Sequence, residues 1–132
     1  MIRRLLDTSV LIAHWRDRAG GNPANQGPDD ARRWAEELVQ AYGTNIIATP
    51  VVIEFLAGVR TGHELRLARA YLGSLRAIDG GKMTVEDWEA ARRHAERVPR
   101  DGKPRQLGDC LIKAIADRLG YDPYSLDKGF PK

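Results

Sequence analysis

Short apolar runs alternate with longer amphipathic ones from one end of this chain to the other. "IRRLL", "TNIIAT" and "LRAID" read as short strands, and Tyr121–Leu126 as a weaker one interrupted by Pro123. Between them, "TSVLIAHWRDR", "DARRWAEELVQAY", "TPVVIEFLAGVR", "HELRLARAYLGSL", "TVEDWEAARRHAERV" and "GDCLIKAIADRLG" carry helical spacing. Strands that alternate with helices predict an α/β fold: three α/β/α layers around a central, mainly parallel sheet of four to five short strands. No repeat or composition break divides the 132 residues, so a single domain over 1–132 is expected.

The helix starts are legible. Thr8 or Ser9 is available to cap the first helix, and Asp29 or Asp30 the second, after the loop "AGGNPANQGPDD". Thr49 followed by Pro50 opens the third, and Thr84 with Asp87 three residues on forms a capping box. Trp34, Leu38 and Ala41 mark one buried face; Val85, Trp88, Ala91, Ala95 and Val98 mark another. Trp34 and Trp88 are therefore assigned to the core, while Trp15 is left between core packing and base stacking.

Composition narrows the class. At 42% apolar and 30% charged the chain reads as globular. No apolar run approaches the ~20 residues that span a bilayer, and the N-terminus lacks the features of a signal peptide. The lone Cys110 rules out an internal disulfide and suits a reducing cytoplasm. A net charge of +3 permits a polyanionic partner without requiring one.

Four acids stand among apolar or small residues: Asp7 in "LLDTSVLI", Glu54 in "VVIEFLAG", Asp109 in "QLGDCLI" and Asp127 in "YSLDKGF". Each follows a strand or opens a helix, and in a parallel sheet such places converge on the edge where the strands end. Each also has a plainer explanation. Asp7 could cap a helix, Glu54 could pair with an arginine, Asp109 could answer a helix dipole, and Asp127 could serve a turn. If they do converge, their repulsion calls for a hard cation. Mg²⁺ or Mn²⁺ suits an oxygen-only set, whereas zinc would want more than the scattered His14, His63 and His94.

These four motifs, in this order, resemble those of the PIN-domain ribonucleases, and the chain looks most like the VapC-type toxins of toxin–antitoxin pairs. The likeness runs from Ile2 to Phe130 through "LLDTSVLI", "IIATPVVIEFLAG", "LGDCLIKAIADRLG" and "SLDKGF". It implies Mg²⁺-dependent cleavage of RNA, with Asp7 and Asp109 as principal ligands, Asp127 completing the metal site, and Glu54 holding or deprotonating the attacking water. Ser9 and Ser125 would support the carboxylates. It also implies a small cognate antitoxin and a homodimer, with "HELRLARAYLGSL" as a surface for either contact. A non-catalytic PIN-like module that binds RNA or protein is the competing expectation. Phosphatase and receiver folds fit poorly, since Ser9 stands where a second acid is wanted and Glu54 lies well inside a helix.

The stretch Arg92–Arg105 adds a candidate RNA-binding rim: Arg92, Arg93, Arg97, Arg100, Lys103 and Arg105. A solvated helix face followed by a loop is the plainer account of it.

Overall fold

The computed structural model describes residues 3–20, 25–97 and 103–132. Ile2, residues 21–24 of the expected loop, Val98 and Arg100 lie outside them. The order of elements is β1 (Arg4–Leu6), α1 (Thr8–Arg18), α2 (Pro28–Tyr42), β2 (Ile46–Ile47), α3 (Thr49–Ala57) and α4 (Gly62–Gly73). Then come β3 (Arg76–Ala77), α5 (Val85–Glu96), α6 (Leu107–Leu119) and β4 (Asp122–Tyr124).

The α/β class holds, and every strand pairing is parallel, but the four strands form two ladders of two. β1 pairs with β4, placing Leu5 opposite Pro123, and β2 pairs with β3. β1 lies against β2 without a ladder of its own. Side chains do the joining there: the Thr44 hydroxyl donates to the Arg4 carbonyl at 2.8 Å, and Arg4 donates to the Tyr42 carbonyl at 3.3 Å. A two-residue β2 is too short to build its own row of backbone bonds on both sides. Pro123 is tolerated because β4 pairs on one side only.

The core gathers around Leu5, Leu6, Leu11, Leu38, Ile112 and Ile115. Trp15 settles as a core residue, its ring edge-on to Trp34, Phe55 and Tyr71 at centroid distances of 5.5, 5.3 and 5.0 Å. Aromatic pairs of this kind add about 0.5–1.5 kcal/mol each beyond area burial.

Several expectations need correction. Trp88 is 54% exposed. The buried line of α5 runs through Asp87, Ala91 and His94 instead of Val85, Trp88 and Ala95. Polar groups can lie there because α6 answers them: Arg118 donates to Asp87 at 2.7 Å, and His94 faces Asp117 at 3.4 Å. Ala41 is exposed, beyond the buried face of α2. The α4 surface offered for a partner is spent within the fold: Leu67, Ala68, Tyr71 and Leu72 are buried, with α2 packed against the helix.

The caps also differ. The α2 N-cap is Gly27, whose N–H donates to Asp30 at 2.8 Å. Thr49 lies inside α3, and its N–H donates across the fold to Asp79 at 2.8 Å. A carboxylate thirty residues away thus caps α3, while the Thr49 hydroxyl accepts from the Gly81 N–H. The Thr84–Asp87 capping box is present as expected.

Candidate active site

β1 and β4 are parallel, so the residues that follow them arrive at one edge, and a hydrogen bond from Thr8 to Glu54 brings the helix after β2 to the same place. Asp7 emerges directly from β1 at the N-cap of α1, but its side chain makes no capping bond. Instead Oδ2 accepts the Ser9 hydroxyl at 2.9 Å and the Ser125 hydroxyl at 2.7 Å. Those serines are tied in turn to the chain after β4: Leu126 N–H donates to Ser9 and Asp127 N–H to Ser125, each at 3.0 Å. Asp7 is 1% exposed, and its Oδ1 is buried with no hydrogen-bond partner among the described residues. A buried carboxylate oxygen left this way is costly, and a donor or a cation beside it would relieve that cost.

Glu54 comes from the second turn of α3. Among the described residues no arginine pairs with it; the Thr8 hydroxyl donates to it at 2.6 Å. Burial raises its pKa, which the Thr8 bond opposes and the charge of Asp7 reinforces. The carboxylate also rests on Gly108, at a place where a β-carbon on that residue would collide with it. Thr8 and Gly108 are the functional residues that sequence reasoning missed. From sequence Thr8 stands only as a possible cap and as part of "LLDTSVLI", with no sign of its bond to Glu54. Gly108 carried a signal, since glycine inside a helix weakens it and so marks a close approach.

Asp109, in the first turn of α6, is 6% exposed. Its pKa is pushed up to about 7, first by burial and then by the charges of Asp7, Asp127 and Glu54, with a hydrogen bond to Asp127 adding to the rise. A lone first-turn acid would be favoured as a carboxylate by the helix dipole; here desolvation and three neighbouring acids win. Asp127 is exposed, and its Oδ1 accepts the Gly129 N–H at 2.9 Å, so it serves a turn while facing Asp109. Four acids from four separate segments therefore share one electrostatic centre.

The basic stretch is placed differently. Arg92 pairs with Glu96 at 2.9 Å along α5, and Arg93 is exposed on the same helix. Arg97 donates to the Lys132 carbonyl at 2.9 Å. Arg105 donates to the carbonyls of Arg97 and Gly129 at 3.3 and 2.8 Å, bracing the segment that carries Asp127. Lys103 is exposed. Arg97 and Arg105 thus act as struts for the C-terminal segment.

The model of the PIN domain family matches residues 4–132. The chain belongs to the PIN-domain family. PIN domains are generally nucleases and typically use divalent metals, so this one has a nuclease-type fold. No individual curated protein matches it.

The donor set of this PIN domain fits a hard divalent cation. Its centre holds carboxylate and hydroxyl oxygens, and the partnerless Asp7 Oδ1 supplies a free ligand position. Among the described residues, no three His, Cys, Asp or Glu side chains close into a cage. Mg²⁺ does not need one, because it retains several waters and is usually held by one or two carboxylates together with substrate phosphate. Cys110 is buried and free, and no helix among the described residues is long and apolar enough to cross a membrane.

Proposed function

We propose that this PIN domain is a Mg²⁺- or Mn²⁺-dependent endoribonuclease of the VapC type, the toxin of a toxin–antitoxin pair. The observation that carries the reading is Asp109, whose pKa is lifted to about 7 by burial and three converging acids beside an Asp7 oxygen with no partner. Neutral pH leaves such a cluster in electrostatic debt unless a cation resolves it.

Asp7 and Asp109 would hold the metal, with Asp127 joining directly or through water. A bound divalent cation supplies charge neutralisation at the scissile phosphate and acidifies coordinated water. The protein's own work is to position and to move protons. Ser9 and Ser125 fix Asp7 by its Oδ2, which leaves Oδ1 without a partner among the described residues. Thr8 orients Glu54, and the upward shift of that carboxyl brings it toward the range that suits a general base for the attacking water. A small antitoxin would silence the enzyme by inserting an Arg or Lys among these acids, and the working form would be a cytoplasmic homodimer.

Structured RNA incubated with purified protein and Mg²⁺ tests the reading. Cleavage is expected, with loss of at least 10²-fold on adding EDTA or on Asp7→Asn. Tight RNA binding with no cleavage by the intact protein would instead mark a non-catalytic binding module.

A further inference from the structure

Two clefts open beside the acidic centre. The first, about 490 Å³, lies between α1, α3 and the start of α4 and reaches Glu54. Its apolar lining includes Ile12, Phe55 and Val59, and it carries Arg16 and Arg60. The second, about 670 Å³, lies beside β4 and the C-terminal segment and reaches Ser125 and Asp127. Its basic side chains are Lys113, Lys128 and Lys132. The two clefts have no lining residue in common.

The acids stand between them. Thr8 ties the start of α1 to Glu54, at the end of the first cleft. The next residue, Ser9, ties the same turn to Asp7 and, through Leu126, to the border of the second. One helix start thus joins both clefts through the carboxylates.

The state of the cations is as informative as their position. Among the described residues, the guanidinium groups of Arg16 and Arg60 and the ammonium groups of Lys128 and Lys132 make no hydrogen bond or ion pair. Arg92, Arg97 and Arg105, in the most basic stretch of the sequence, are occupied by Glu96 and by backbone carbonyls. Lys113 is likewise held by Asp117 at 2.8 Å. Glu64 also lines the first cleft, but in the first turn of α4, where the helix's own N–H groups offset its charge. Both volumes fall in the range that admits one ligand of drug size, hence a nucleotide or two and not a duplex.

We propose that single-stranded RNA crosses the carboxylates from one cleft into the other, its flanking phosphates held by Arg16 and Arg60 on the Glu54 side and by Lys128 and Lys132 on the Asp127 side. The inference rests on the endoribonuclease reading for its substrate, but binding tests it apart from cleavage. In the Asp7→Asn background with Mg²⁺, the affinity of a labelled single-stranded oligoribonucleotide is measured by anisotropy across a salt series. Each phosphate contact contributes about 0.7 to the slope of log K against log salt for single strands. Arg16→Ala/Arg60→Ala and Lys128→Ala/Lys132→Ala should each lower the slope by about 1.4 and the affinity by about tenfold. Arg32→Ala/Arg33→Ala, which removes the same charge from the exposed face of α2, should change neither. Thermal melts confirm that each variant is folded. Slopes for the cleft pairs that match the α2 control overturn the proposal, as does a duplex that binds as tightly as the single strand. Failure of the nuclease reading would show separately, as wild-type protein that binds RNA but leaves it intact.

Discussion

Gly108 and Asp109 are consecutive residues that act on the site in opposite ways, one by what it lacks and one by what it carries. A methyl group on Gly108 would fall on the Glu54 carboxylate, the movable end of a side chain, so Glu54 must swing away and leave Thr8. Gly108→Ala should therefore cut RNA cleavage at least tenfold while holding or raising the melting temperature, since alanine favours a helix by roughly 0.5–1 kcal/mol. Activity and melting measured on the same preparation check this. Asp109 has a folded pKa of about 7 against an ordinary 3.8, so the folded state binds a proton that the unfolded chain has lost. Metal-free stability must then fall as pH rises from about 4 to about 7, and stay low above that. Asp109→Asn removes the penalty. In EDTA at pH 8 it should melt several degrees above the wild type, with an upper limit of ~4 kcal/mol at ~1.4 kcal/mol per pH unit, and the gap should close toward pH 4.

At the scale of elements, α3 is positioned from outside. Its first N–H is capped by Asp79, which follows β3, so the ladder between β2 and β3 and the seat of Glu54 are one arrangement. Asp79→Ala should cost about 1–2 kcal/mol, as cap losses do, and lower cleavage with it although Asp79 is no part of the acidic cluster. Chemical denaturation and an RNA assay together check both halves. The α5–α6 pair is fixed by Asp87, which burial pushes up but which the Arg118 guanidinium and the Thr84 N–H hold below the ordinary carboxylate range. That pairing turns α5 so that Trp88 faces outward. Helical spacing alone gave the period of the helix; it could not give its rotation, because a partner on another helix, Arg118 of α6, holds Asp87 on the inward stripe.

For the molecule as a whole, a cation that binds the folded chain and not the unfolded one stabilises it by mass action, by about 2.7 kcal/mol at a hundredfold excess over Kd. Mg²⁺ should raise the wild-type melting temperature at pH 8 by several degrees and raise that of Asp7→Asn much less. Calorimetric scans with and without EDTA measure the difference.

The sequence by itself determined the parallel α/β class, the helix positions to within three residues, and the four acids, because period and local chemistry are written in consecutive residues. It also marked Ser9 and Ser125 beside them. Only the tertiary structure decided that Thr8 holds Glu54, that Gly108 makes room for it, and that Arg97 and Arg105 serve as struts while Arg16, Arg60, Lys128 and Lys132 stand in the clefts. Those roles depend on which distant segment arrives opposite each side chain. Desolvation and hydrogen-bond partnership are properties of that encounter, and no stretch of chain carries them alone.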